Sequence, residues 1–174
     1  PIELMEFTIN QNIDYIVGEL FKKRPDIIGF STYIWNREET LQICETIKII
    51  DPNIKIILGG PEVSFDGEKI LKDHWFIDFI IYGEGEVTFN QLLERIIRKS
   101  SKYHDINGLI YKNNKEIIKN PPRELIQNLD SIPSPYRNIE DEFENKIVYF
   151  ESSRGCPFNC QFCLSSTIKG VRYF

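Results

Sequence analysis

The sequence of 174 residues contains no apolar run approaching the ~18 residues of a spanning helix, no basic-then-apolar leader and no internal repeat. A membrane-spanning helix is excluded, and the chain reads as cytoplasmic by default. It has no basic surplus either: 21 Lys and Arg against 26 Asp and Glu leave a net charge of −5. Phosphate backbones are held by clustered cations, so nucleic acid is disfavoured as a partner. Histidine is scarce, at two residues, and so is cysteine, at four. What is present is 41% hydrophobic and 27% charged residues, a balance that buries a core. The length exceeds one domain of roughly 150 residues and falls short of two complete enzyme domains. The chain opens with Pro1 and a strand-like run, Ile2 to Phe7, and reads as a piece of something longer.

From residue 2 to about 99, strand-like and helix-like segments alternate with short connections, the α/β signature. Ile13, Ile16, Val17, Leu20 and Phe21 form one helical stripe that Pro25 terminates. Asn36 with Glu39 predicts a capping-box start, after which Leu41, Cys44 and Ile47 share a face. That stripe makes Cys44 a buried small hydrophobe rather than a reactive thiol. Further helices are expected from Glu68 to Trp75 and through Phe89, Leu92, Leu93, Ile96 and Ile97. Runs at Ile27–Phe30, Ile56–Leu58 and Phe79–Tyr82 are continuously apolar, as strands covered on both faces are. With Ile2–Phe7 they make four strands of a flavodoxin-like (Rossmann-like) doubly wound parallel sheet. The usual version has five, in order 2-1-3-4-5, so an interior first strand is expected to be missing.

Three regions follow: 1–100 as the α/β domain, 101–145 as hairpin and linker, and 146–174 as the start of a further domain. Leu109–Tyr111, the Lys112–Lys115 turn and Glu116–Ile118 read as a hairpin. Pro121, Pro122, Pro133 and Pro135 mark an extended tether. The acidic run Glu140, Asp141, Glu142 and Glu144 reads as its solvated face. Lys146–Phe150 starts a new strand leading into Cys156, Cys160 and Cys163.

Those cysteines form a C-x3-C-x2-C loop behind Gly155. Crowded thiols in a cytoplasmic chain point to metal before disulfide. Closed zinc sites take four protein ligands. Three cysteines on a [4Fe–4S] cluster leave one iron open. Iron–sulfur is the favoured reading, with zinc as the other. Arg154-Gly155-Cys156 followed by the remaining cysteines, with aromatic Phe162 before the last, resembles the radical S-adenosylmethionine superfamily. The resemblance implies that Cys156, Cys160 and Cys163 hold the cluster and that its open iron chelates S-adenosylmethionine. It further implies reductive cleavage to a 5'-deoxyadenosyl radical, with Phe162 sheltering the adenine and an electron donor such as a flavodoxin or ferredoxin. About 30 residues carry the resemblance, against roughly 200 or more for a barrel, so only the start of a barrel is expected.

At the strand ends stand Ser31 and Thr32, then Gly59-Gly60-Pro61, then Gly83-Glu84-Gly85-Glu86. Small or hydroxyl residues there clear a crevice at the carboxyl edge, where doubly wound sheets bind ligands. Thr88 stands where a dinucleotide fingerprint would need its third glycine. Tyr33 and Trp35 either roof the crevice or pack. Together, the serine after one strand and the Gly-Gly after the next resemble the cobalamin-binding domain. By that resemblance Ser31 and the backbones of Gly59 and Gly60 line the channel for the nucleotide tail, and Gly83 to Glu86 lie near the corrin. The family's Asp-x-His-x-x-Gly loop is not in this sequence, and neither His74 nor His104 has its context.

A cobalamin-like domain, a tether and a radical cysteine loop give the order of cobalamin-dependent radical enzymes. The expected function is methyl transfer from S-adenosylmethionine through methylcobalamin to an unactivated centre of a small-molecule or peptide substrate. The alternatives are a related radical enzyme catalysing rearrangement or cyclisation, and a non-catalytic ligand-binding module with a zinc-binding tail. An unpaired sheet edge also invites self-association, which leaves such a piece open to homodimer formation; with neither cofactor completely enclosed, no turnover of its own is expected.

Overall fold

The computed structural model describes residues 2–114, 116–134, 136, 148–168 and 170–174. They form two compact units, residues 1–123 and 124–174. The first is built as α1 (Ile13–Lys22), β1 (Ile27–Ser31), α2 (Arg37–Ile50), β2 (Lys55–Gly59), α3 (Pro61–Ser64), α4 (Gly67–Asp73), β3 (Phe79–Ile81), α5 (Glu86–Ile97), β4 (Leu109–Asn113) and β5 (Glu116–Lys119). The sheet runs β1-β2-β3-β4-β5. The first three strands are parallel, and β4 and β5 join antiparallel.

Alternation along each strand divides the core in two. Ile28, Ile56, Leu58 and Ile80 pack with α1, α2 and α4 through Val17, Leu20, Cys44, Ile47, Ile70 and Leu71. Ile57, Phe79 and Ile81 face the opposite way, onto Leu92 of α5 and onto Ile106, Leu109 and Tyr111. Helices therefore cover both faces, as a doubly wound sheet requires. Cys44 is fully buried, and burial pushes its thiol up.

Local signals set the helix ends. The Asn12 side chain caps α1 by accepting the Asp14 N–H at 2.7 Å. Arg24, at φ 49°, turns the chain out of the helix just before Pro25. The amino edge of the sheet is tied by one buried cation. Lys48 pairs with Asp78 at 2.8 Å and donates to the Pro52 and Ile54 carbonyls. Asp78 also accepts the Ile56 N–H at 2.8 Å, which pins the start of β2 beside β3. Nearby, Lys112 donates to the carbonyls of His74 and Trp75, and burial pushes its ammonium down.

Several expectations change. Ile2–Phe7 is not a strand; Met5 and Phe7 rest against the first core while β1 forms the sheet edge. An apolar alternating run becomes a strand only where a neighbour completes its ladder, and no described strand does so. The sheet is mixed rather than purely parallel, because the hairpin expected beside a linker instead extends it. Arg123 secures that region by donating to the Thr88 hydroxyl at 2.8 Å, Gln91 and the Asn107 carbonyl. Asn120 donates to the carbonyls of Tyr103 and Ile106. The hairpin and Arg123 thus fall within the first compact unit. Finally, the single helix expected over Glu68–Trp75 is α4, shorter and preceded by α3.

In the second unit β6 (Ser153–Cys156) pairs antiparallel with β7 (Gly170–Tyr173) across a 3-10 turn at Leu164–Thr167. Of the strand expected at Lys146–Phe150, Lys146 and Ile147 lie outside the described residues and Val148–Phe150 carry no strand. The acidic run from Glu140 to Glu144 also lies outside them. The described residues form a two-stranded hairpin and no part of a barrel. No described helix is long and apolar enough to cross a membrane.

Removing one partner of a buried pair leaves the other charge uncompensated. Asp78→Ala is therefore expected to cost about 3 kcal/mol, measured as a lowered urea midpoint with an unchanged m-value.

Candidate functional site

The cleft at the carboxyl edge follows from strand register. Ser31 pairs with Gly59, and Gly29 with Ile57. Gly29, Ser31, Ile57, Gly59 and Ile81 all fall on the α5 side of the sheet, because alternate residues share a face. The residues nearest the carboxyl ends of β1 and β2 on that side are thus Gly or Ser. Their missing side chains leave a cleft of about 510 Å³ under the start of α5, closed by Gly83, Gly85, Glu86 and Phe89 and flanked by Gly60 and Tyr33.

Each glycine acts differently. A Cβ at Gly29 would meet only the Phe89 ring, at 3.8 Å, so this position keeps the cleft open without being required by the backbone. Gly60 has φ 106°, and a Cβ there would stand 2.5 Å from the Thr32 carbonyl oxygen. Its backbone borders the cleft, but its side-chain direction points into the loop after β1. Gly83, at φ 76°, has open space around its Cβ direction and is glycine for its turn alone.

The loop after β1 is tied on both flanks. The Thr32 N–H donates to the Gly59 carbonyl at 2.7 Å, and the Glu62 N–H to the Thr32 carbonyl at 3.3 Å. Arg37 pairs with Glu62 at 2.8 Å, joining α2 to α3. Tyr33 and Trp35 stack flat, with centroids 4.6 Å apart and planes 6° apart.

The structure therefore gathers Ser31, Gly59, Gly60, Gly83 and Gly85 around one cleft. Thr32 does not line it: the bond to Gly59 continues the ladder and carries the side chain into full burial. Glu84 is in the closing turn but not on the wall. Gly29, Ile57, Ile81 and Phe89 do line it, and sequence reasoning passed over them. The available signal was a glycine two residues ahead of Ser31, on the same strand face. His74 and His104 are both away from the cleft. Of the two roles open to Tyr33, it is a wall of the cleft, with Trp35 stacked on it.

In the second unit Cys156 ends β6, and Cys160 and Cys163 are exposed on the loop. The Cys163 N–H donates to the Cys160 carbonyl at 3.2 Å. Gly155, at φ 93°, lets β6 pass Gly170, whose oxygen would lie 2.1 Å from a Cβ. Phe162 is 96% exposed. Among the described residues no three His, Cys, Asp or Glu side chains are grouped to hold a metal ion, so the loop carries a thiol donor set without a formed site.

A covered, mixed sheet whose parallel strands carry a glycine-floored cleft at their carboxyl edge defines the class of α/β proteins that take a small ligand beyond their strand ends. Within that class the chain belongs to the B12 binding domain family, which matches residues 2–93. It is 36% identical over 163 residues to an uncharacterised methyltransferase, PH0819, of Pyrococcus horikoshii, covering 90% of this chain and 35% of that protein. To the cobalamin-dependent radical SAM methyltransferase TokK of Streptomyces tokunonensis it is 27% identical, covering 86% of this chain and 24% of the relative. The chain thus spans about a third and a quarter of these relatives. The structure of the cobalamin-dependent S-adenosylmethionine radical enzyme OxsB with aqua-cobalamin and S-adenosylmethionine bound superposes with a TM-score of 0.75 at 25% identity. That match covers 94% of this chain and 23% of the other.

Gly60 and Gly29 separate fold from site. Gly60→Ala is expected to lower stability by about 1–3 kcal/mol through strain, whereas Gly29→Ala should leave the denaturation midpoint unchanged or raised. Thermal unfolding of both variants checks this.

Proposed function

We propose that the chain is the cobalamin-holding portion of a cobalamin-dependent radical S-adenosylmethionine methyltransferase. The observation that carries the reading is the cleft between β1–β3 and α5, because it lies within the stretch matched by the B12 binding domain family. Its volume is in the range of small-molecule sites, and a row of missing Cβ atoms suits close approach by the nucleotide tail of cobalamin. Ser31, Gly29 and Gly59 would hold the tail along the strand backbones, and Gly83, Gly85 and Glu86 would lie toward the corrin. When bound, cobalamin supplies a transferable methyl group, and the residues here hold and orient it rather than react. No histidine of this chain lines the cleft to meet cobalt.

For Cys156, Cys160 and Cys163 we infer a [4Fe–4S] ligand set whose open iron takes S-adenosylmethionine, with Phe162 against the adenine. The spacing supports this reading, as does the similarity to proteins described as radical enzymes. It calls for a one-electron donor of the flavodoxin or ferredoxin class and for a reducing, cytoplasmic setting in which the four free thiols persist.

The test uses the full-length protein, reconstituted anaerobically with iron, sulfide, cobalamin and methyl-labelled S-adenosylmethionine. We expect about four irons per chain, lost on changing any of the three cysteines to alanine, and label transferred to cobalamin and on to product. Tightly bound zinc with no reducible cluster overturns the iron–sulfur assignment. A rearranged or cyclised product without label overturns methyl transfer.

A second measurement addresses the cleft. Gly29→Leu should weaken cobalamin binding at least ~tenfold while leaving the melting temperature at or above wild type. Joint replacement of His74 and His104 should leave affinity unchanged. Equal affinity in Gly29→Leu places cobalamin elsewhere.

A further inference from the structure

We propose that Asn36 is a positioning residue for the cleft: its amide braces the Ser31–Trp35 loop in the form that receives cobalamin, instead of capping the helix it precedes. The proposal rests on the cobalamin reading above.

Asparagine is a preferred N-cap because its side-chain oxygen accepts an N–H from the first turn. Asn36 occupies the N-cap position of α2, and its side chain makes no such bond. The expected capping box is absent for a definite reason. Its Oδ1 instead accepts the Tyr33 N–H at 2.7 Å, and its Nδ2 donates to the Ser31 carbonyl at 2.9 Å. The partners fix which end of the amide is which: one is a backbone donor, the other a backbone acceptor. The Asn36 N–H adds a third tie, to the Tyr33 carbonyl at 3.2 Å.

The geometry of β1 explains the need. Thr32 N–H bonds to Gly59 and Lys55 N–H to the Asp26 carbonyl, so even-numbered residues of this stretch face β2. The Ser31 carbonyl points the other way, off the sheet edge. Asn36 satisfies it and at the same time turns the chain so that Tyr33 lies on the cleft wall. Ile34 and Trp35 are 79% and 61% exposed, so burial does not hold them. The flat Tyr33–Trp35 stack lies on this loop, which the Asn36 amide ties at the Tyr33 N–H and the Ser31 carbonyl.

Aspartate separates bracing from capping. As an N-cap it equals asparagine and suits the positive end of the helix. As a brace it fails, because the atom facing the Ser31 carbonyl becomes an acceptor. If Asn36 mattered as a cap, Asn36→Asp would behave as wild type and Asn36→Ala would be destabilised. Under the bracing role, both variants weaken binding alike.

The experiment measures cobalamin dissociation constants of full-length wild type, Asn36→Asp and Asn36→Ala by equilibrium dialysis, with thermal unfolding in parallel. It also records the fluorine resonance of Trp35 in 5-fluorotryptophan-labelled apoprotein, assigned by its loss in Trp35→Phe. We expect both Asn36 variants to bind about tenfold more weakly, with melting temperatures near wild type and a shifted or broadened Trp35 resonance. Wild-type affinity and an unmoved resonance in Asn36→Asp overturn the inference while leaving the cofactor reading intact. A wild-type protein that binds no cobalamin overturns both.

Discussion

The cleft depends on a single constraint: in register, parallel β1 and β2 present their small residues to the same face at the same end. Ser31 lies beside Gly59 and Gly29 beside Ile57, so the α5 face loses side-chain volume only near the carboxyl edge. Toward the other end, Phe79, Leu92 and Tyr111 fill that layer. A one-residue slip of either strand would turn that strand's small residues onto the α1–α2 face. The site would then close and voids would open in the larger core.

Stability and binding occupy opposite ends of this sheet. At the amino edge, the Lys48–Asp78 pair and the Lys112 ammonium satisfy five backbone groups of loops and strand starts. At the carboxyl edge, the loops are tied backbone to backbone, by the Asn36 amide and by the Arg37–Glu62 pair. Glycine and an open cleft replace packed side chains there. Antiparallel β4 and β5 extend the sheet on the far side of β3. With Arg123 bonded to Thr88, they hold α5 down as the roof of the cleft.

The second unit follows another logic. The β6–β7 hairpin passes Gly155 across Gly170 at a distance that no side chain permits, and this aims the chain into the Cys156–Cys163 loop. Three thiols on one loop form a donor set by covalent spacing alone. Their convergence is a separate matter, because loop thiols are drawn together by a bound metal or a surrounding shell rather than by the hairpin ladder.

Periodicity and spacing by themselves determined the α/β class, the three parallel strands, the buried state of Cys44, the carboxyl-edge crevice with Ser31, Gly59, Gly60, Gly83 and Gly85, and the thiol loop. These are local properties: apolar runs of strand length, stripes at helical spacing, and small residues after strands. Tertiary structure alone decided the rest. Ile2–Phe7 has the pattern of a strand but no ladder, since pairing requires a neighbour. Leu109–Lys119 looked like a separate hairpin until β3 offered it an edge. Thr32 stood next to Ser31 in the sequence but turned away from the cleft, and Gly29 and Phe89, far apart in sequence, met across it. Asn36 had the sequence signature of a helix cap, yet its amide found stronger claims in the Ser31 carbonyl and the Tyr33 N–H. In each case the choice lay between partners that sequence cannot place in space, and hydrogen-bond satisfaction and strand register settled it.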